Sequence, residues 1–118
     1  MRRTLLKSKI QKALVTEANL DYEGSLGLDE RLMTAADMIP FEKVHVYNIS
    51  NGERFSTYLI KEAAGSGEVA IYGAAAHKAG PGDQLIIVSY VQLDEKEIES
   101  FRPKVVILDE RNRIKTIR

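Results

Sequence analysis

The sequence predicts a mainly β fold: one domain of short strands closed into a barrel, with a few short helices. Two runs with period-two alternation, Val44 to Ile49 and Arg54 to Ile60, flank Asn51-Gly52, the strongest short-range hairpin signal in the chain. Leu85 to Val91 is almost unbroken apolar sequence, the pattern of a strand covered on both faces. Helical stretches are brief, and no repeat, low-complexity tract or linker divides the 118 residues. A barrel is the most economical closure of six or more such strands, although periodicity does not choose its type.

The elements follow in order. From Thr4 to Thr16, Leu6, Ile10 and Leu14 nearly alternate with Lys7, Lys9 and Gln11, which predicts an irregular strand with one buried face that delivers Lys9 to a surface or cleft. Asn19-Leu20-Asp21 reads as a turn leading to Gly24-Ser25. Asp29 is placed to cap a short helix in which Leu32, Met33 and Ala36 share a face, and Pro40 stops it. On the second hairpin strand Arg54, Ser56 and Tyr58 point one way and Phe55, Thr57 and Leu59 the other. Gly65-Ser66-Gly67 turns the chain into Glu68 to Tyr72, and Gly73-Ala74-Ala75-Ala76-His77 reads as the tight start of a helical turn with approachable amides. After Pro81-Gly82 comes the core strand. Asp94 caps a charged helix to Phe101, Pro103 ends it, and Val105 to Leu108 is a further strand. The charged tail, about 109–118, is expected to fray.

Composition narrows the function. Lysine plus arginine number 17 and aspartate plus glutamate 17, so no net field favours nucleic acid or an anionic membrane. The absence of cysteine excludes a thiolate nucleophile, a disulfide framework and the usual structural zinc motifs. Met1-Arg2-Arg3 is basic, but charges from Thr4 to Lys12 interrupt any signal-peptide core, and no apolar run approaches a membrane span. A soluble cytoplasmic protein is expected. His45 and His77 stand apart from any carboxylate at ligand spacing and read as structural, so no metal is expected.

One dipeptide carries a distinctive chemistry. If the Ser25 hydroxyl attacks the Gly24 carbonyl, an amide becomes an ester, and elimination across the serine cuts the chain to leave a pyruvoyl ketone at residue 25. Gly24, lacking a Cβ, suits the unusual backbone angles and close approach that such an attack demands. The same dipeptide is also ordinary turn composition, so its neighbours decide the reading.

Tyr22-Glu23-Gly24-Ser25, Asn51-Gly52-Glu53-Arg54-Phe55-Ser56-Thr57-Tyr58 and Gly73-Ala74-Ala75-Ala76-His77, in that order and at those spacings, resemble the aspartate 1-decarboxylases. The resemblance runs from about Arg3 to Pro103, leaving only the charged tail outside it. It implies a double-psi β-barrel made as an inactive precursor, self-cleaved between Gly24 and Ser25 into chains 1–24 and 25–118 and assembled as a homotetramer with sites at subunit interfaces. Such enzymes convert L-aspartate to β-alanine and carbon dioxide, supplying pantothenate and hence coenzyme A, with a pyruvoyl group in place of pyridoxal phosphate. A pyruvoyl ketone condenses with the substrate amine, and its conjugated carbonyl accepts the electron density left by the departing carboxylate.

The resemblance also distributes roles. Ser25 becomes the pyruvoyl group and Tyr58 is the proton donor. Arg54 offers a planar fork for the retained carboxylate, with Lys9 as a second cation. Gly73, Ala74 and Ala75 match the substrate-binding segment. Thr57 is assigned to processing, its hydroxyl bonding the Gly24 carbonyl, and to the substrate pocket as well. A regular strand would point Thr57 away from Tyr58, so serving one pocket with both requires a bend or an interface. The chain departs from the family pattern at Tyr72, where asparagine is common, and at Gln11, where some relatives carry histidine. A maturation helper protein, a non-catalytic barrel that binds other molecules, and a pyruvoyl decarboxylase of another acidic amino acid all remain open at this level.

Overall fold

Apolar residues spaced two apart along successive strands converge on one core, in which Ile10, Leu26, Leu28, Val44, Val46, Leu59, Ile71, Leu85, Ile87 and Val106 are fully buried. The computed structural model describes residues 1–118. Its strands are β1 (Arg2–Leu14), β2 (Glu17–Asn19), β3 (Ser25–Asp29), β4 (Lys43–Asn48), β5 (Arg54–Glu62), β6 (Val69–Tyr72), β7 (Gln84–Asp94), β8 (Lys104–Leu108) and β9 (Ile114–Ile117). Two short helices, α1 (Glu30–Ala35) and α2 (Glu95–Ser100), and a 3₁₀ turn at Gly73–His77 complete it. The strands form one sheet in the order β2-β6-β3-β5-β4-β7-β1-β8-β9, mixing parallel and antiparallel pairs, an architecture consistent with a double-psi β-barrel. No helix is long and apolar enough to cross a membrane.

β1 is irregular as expected, with register shifts against β7 between Leu6 and Ser8 and between Ile10 and Ala13. Lys12 sits at φ 65° within the second shift, a left-handed conformation that bends the strand. β4 and β5 form the predicted hairpin, with Tyr47 opposite Arg54 and Val44 opposite Thr57. Its turn spans Ile49 to Gly52, closed by the Asn48 amide on the Glu53 carbonyl, and Gly52 supplies the positive φ of 79°. Both predicted caps are present: the Asp29 carboxylate accepts from the Arg31 amide at 2.8 Å, and Asp94 forms a reciprocal capping box with Glu97. β7 is central, flanked by β1 and β4, but only Ile87, Val88 and Ser89 are buried in succession, and Tyr90 turns outward, 41% exposed.

The expectation of a frayed tail is overturned. β9 pairs antiparallel with β8, and the chain before it is anchored by Asn112, 3% exposed, which bonds the Leu14 amide, the Leu14 carbonyl and the Gly67 carbonyl at 2.8 to 2.9 Å. The Asp109 carboxylate further accepts from the Arg111 and Arg113 amides. Side-chain charge concealed these backbone bonds from a reading of composition.

A second polar anchor is Glu42, which accepts from the Lys7 ammonium, the Ile39 amide and the Ser89 hydroxyl. Burial pushes its carboxyl up, but the Ser89 and Lys7 hydrogen bonds, the Ile39 amide and the Lys7 charge outweigh that and hold it below 4.5. These bonds fix the Ile39-Pro40-Phe41 corner, where Phe41 stands at φ 71° and 77% exposed.

Two stability outcomes follow. Asn112→Ala leaves three part-buried backbone groups without their partner and lowers unfolding free energy by about 2–4 kcal/mol, read from the urea midpoint. Glu42 has a depressed folded pKa, so its contribution is complete above its ordinary value of 4.5 and is lost as pH falls through the lower folded value. Urea midpoints between about pH 3 and 6 therefore fall more steeply in the parent than in Glu42→Gln.

Candidate active site

The Gly24-Ser25 peptide lies at the start of β3, a strand that sequence reading leaves within a loop. Ser25 and Gly27 are poor strand formers, and β3 exists because it is paired on both flanks, parallel to β5 and antiparallel to β6. Every residue from Ser25 to Asp29 is buried. The parallel register sets Leu26 against Leu59 and Gly27 against Ile60, and its first pair adjoins Ser25 on β3 and Tyr58 on β5. The third motif arrives through β6, where Tyr72 pairs with Ser25.

Gly24 adopts no left-handed conformation, and a Cβ added to it would meet only the Tyr72 carbonyl at 3.8 Å. The constrained glycine is Gly73, at φ 71°, whose added Cβ would stand 2.6 Å from Gly24 Cα and 2.7 Å from Gly24 N. The Ser25 hydroxyl donates to the Glu23 carbonyl at 3.4 Å, and no hydrogen bond joins the Thr57 hydroxyl to the Gly24 carbonyl. β5 is regular, so Thr57 faces the core side with Phe55 and Leu59 while Tyr58 faces out with Arg54; no bend brings the two together.

On that outer face Arg54 lies over the Tyr47 ring, Cζ 4.3 Å from the centroid. The Tyr47 hydroxyl meets the Tyr90 hydroxyl at 2.8 Å, and the His45 ring stands edge-on to Tyr90 at 5.2 Å. The hydrogen bond with Tyr47, then burial, pushes the Tyr90 phenol up, and the hydroxyl pair braces this face. Tyr47 is missing from the sequence-based site. The hairpin register signalled by Asn51-Gly52 places it directly across from Arg54 and could have found it.

Tyr58 is half-buried against Phe41, ring centroids 6.4 Å apart. Arg54 and Tyr58 are four residues apart on one strand, about 13 Å between Cα atoms. Lys9 shares a row of the sheet with Val88, His45 and Ser56, which leaves it three strand spacings, about 14 Å, from β5. Within one protomer Gly73 closes on the Gly24-Ser25 peptide, whereas Lys9, Arg54 and Tyr58 share the outer face of the sheet. Ala74, in the first turn of the 3₁₀ segment, is exposed and Ala75 half-buried. Two cavities lie elsewhere: one of about 620 Å³ is lined by residues that include Arg31, Arg111 and Arg113, and one of about 450 Å³ by residues that include Lys12 and Lys115. His77 is exposed, and no three His, Asp or Glu side chains converge as metal ligands.

Tyr72 shows how this chain fills the position where asparagine is common. Its ring meets Tyr22 edge-on at 5.0 Å, and its hydroxyl donates to Glu62 Oε1 at 3.5 Å. Burial first, then the negative charges of Glu62, Glu17 and Glu68, push its phenol up to about 12. It is therefore a neutral donor at working pH. Gln11, on β1, is level with Ile107 of β8, away from the cleavage peptide.

A family model described as aspartate decarboxylase matches residues 1–115. The aspartate 1-decarboxylase of Ralstonia pickettii is 54% identical over 118 residues, covering 100% of this chain and 98% of the relative. The aspartate 1-decarboxylase of Syntrophobacter fumaroxidans is 57% identical over 113 residues, covering 96% and 91%, and that of Syntrophus aciditrophicus is 51% identical over 115 residues, covering 98% and 99%. With the three motifs gathered around one strand start and matches of this depth along the whole length, the chain belongs to the aspartate decarboxylase family.

Proposed function

We propose that the chain cuts itself between Gly24 and Ser25 and then converts L-aspartate to β-alanine and carbon dioxide, supplying pantothenate synthesis in the cytoplasm. The observation that supports this reading is the two-sided pairing of β3, which starts with Leu26 against Leu59, next to Tyr58, and with Ser25 against Tyr72, while Gly73 stands close against Gly24.

In the cut, Ser25 Oγ bonds to the Gly24 carbonyl carbon and its proton passes to the departing Ser25 nitrogen as the C–N bond breaks. Loss of the Ser25 Cα proton then breaks the Cβ–O ester bond and frees the Gly24 carboxylate. One water adds to the remaining enamine, and ammonia leaves a ketone at residue 25. Thr57, on the strand beside β3, is the group that steadies the oxyanion once the scissile carbonyl turns toward it. When present, the pyruvoyl group supplies the electron sink for loss of the α-carboxylate. The buried start of β3 suits such a group because it excludes bulk water from the reacting carbon.

The other residues hold the acid and return a proton. Arg54, stacked on Tyr47, presents its fork to the carboxylate that is retained, and Lys9 adds a second cation. Tyr58 donates its hydroxyl proton to the carbon that loses carbon dioxide. Gly73, Ala74 and Ala75 offer backbone amides beside the cleavage peptide. A single protomer leaves Lys9 about 14 Å from β5. Exposed Phe41 lies beside Tyr58, so assembly into a homotetramer, with a second copy covering this face, completes the pocket.

Warming the purified precursor yields chains 1–24 and 25–118 on a denaturing gel, the larger without a free N-terminal amine by intact mass. An intact chain after prolonged incubation, with no carbon dioxide from aspartate, overturns the reading. Cleavage only on adding a cell extract assigns maturation to a helper protein. Ser25→Ala abolishes cleavage and turnover together. Arg54→Ala spares cleavage and raises KM for aspartate about 10- to 100-fold. Tyr58→Phe spares cleavage and lowers kcat about 100-fold or more. Competition between aspartate and glutamate sets the substrate preference.

A further inference from the structure

We infer that the corner joining β6 to the 3₁₀ turn, Tyr72-Gly73, is the positioning element that presents the Gly24-Ser25 peptide for self-cleavage. The inference rests on the self-cleavage reading above and gives Gly73 a role before substrate ever binds.

Three contacts hold the scissile segment from one side. Gly73 is pressed against it so closely that a Cβ would stand 2.6 Å from Gly24 Cα, 2.7 Å from Gly24 N and 3.0 Å from the Tyr22 carbonyl oxygen. All three are backbone atoms, which cannot rotate aside as a side chain can. Immediately after the cut site, Ser25 is tied into the ladder opposite Tyr72. Two residues before Gly24, the Tyr22 ring, 61% exposed, meets the Tyr72 ring edge-on at 5.0 Å. The segment Tyr22-Glu23-Gly24-Ser25 is thus gripped at both ends and in the middle by two consecutive residues.

Tyr72 is itself held. Its hydroxyl donates to Glu62, and its ring covers Gly27, where a Cβ would meet Tyr72 Cε2 at 3.0 Å and Glu62 Oε1 at 2.8 Å. Gly27 therefore makes the room that a ring at position 72 requires.

The chemistry explains why such a grip matters. A hydroxyl attacks a planar amide from above its plane, so the rate follows how often the peptide visits that geometry. Gly24 lacks a Cβ and would otherwise sample many backbone conformations. A rigid surface beside it narrows that range, and a displacement near 1 Å costs about 100-fold in rate.

The test uses freshly purified full-length precursor and follows cleavage by denaturing gel and intact mass. Tyr22→Ala, an exposed position, slows cleavage about 3- to 10-fold, and Tyr22→Phe restores the parent rate. Tyr72→Phe, which keeps the ring and loses the Glu62 contact, cleaves near the parent rate, and Tyr72→Ala is slow. Gly73→Ala cleaves about 100-fold more slowly. Thermal midpoints measured with Tyr22→Ala placed in the uncleavable Ser25→Ala chain stay within about 2 °C of Ser25→Ala alone, which separates positioning from stability. Cleavage of Tyr22→Ala and Gly73→Ala at the parent rate overturns the inference while leaving self-cleavage standing. A parent chain that never cleaves overturns self-cleavage first and this inference with it.

Discussion

The two-sided pairing of β3 sets the geometry on which the rest of the molecule depends. This strand is five residues long and hydrogen-bonded on both flanks, parallel to β5 and antiparallel to β6. One pairing places the cut site against the strand that carries Thr57, Tyr58 and Arg54, and the other places it against Tyr72-Gly73. At its far end Asp29, 3% exposed, starts α1 and also accepts from the Gly65 and Gly67 amides at 3.0 and 2.9 Å. Its carboxylate thereby ties the end of β3 to the turn between β5 and β6, and the register cannot slip without breaking these bonds to a buried carboxylate.

Strand alternation then divides labour on β5. Thr57, on the core side, is suited to the peptide of its own chain, whereas Arg54 and Tyr58 face outward to an open surface. On the proposed reading, maturation and turnover draw on opposite faces of one strand. The Arg54–Tyr47–Tyr90 stack stiffens that outer face without any ion pair, leaving the guanidinium charge available.

Much of this is legible in the sequence where local chemistry decides the outcome. Asn51-Gly52 marks the hairpin, Asp29 and Asp94 mark both helix starts, and the run around Ile87 marks the central strand, because turns, caps and burial each leave a signature within a few residues. β3 is not legible in that way, since Ser25 and Gly27 are made into a strand by partners more than 30 residues away. The tail misleads for the same reason. Its charges face solvent, while the group that fixes it is the amide of Asn112, a residue type common in loops. The steric role of Gly73 is hidden as well, because a glycine beside three alanines reads as a small-residue turn until the atom it nearly touches is known. Arg54 and Tyr58 were placed on one face by alternation alone, but their distance from Lys9 depends on strand order, which a single sequence does not encode locally.

The long pairing of β1 with β7, from Arg2 opposite Asp94 to Leu14 opposite Gln84, has a consequence for a chain cut after residue 24. The smaller fragment would contain all of β1 and β2 and would be held without a covalent link, by its ladders to β7, β8 and β6, its buried core residues and the side-chain bonds to Glu42 and Asn112. Maturation would then turn a single polypeptide into a complex of two, whose refolding depends on concentration because closing the sheet is no longer an intramolecular event. The mature enzyme would persist by the slowness of its unfolding, and a molecule once unfolded would lack the covalent link that first brought its strands together.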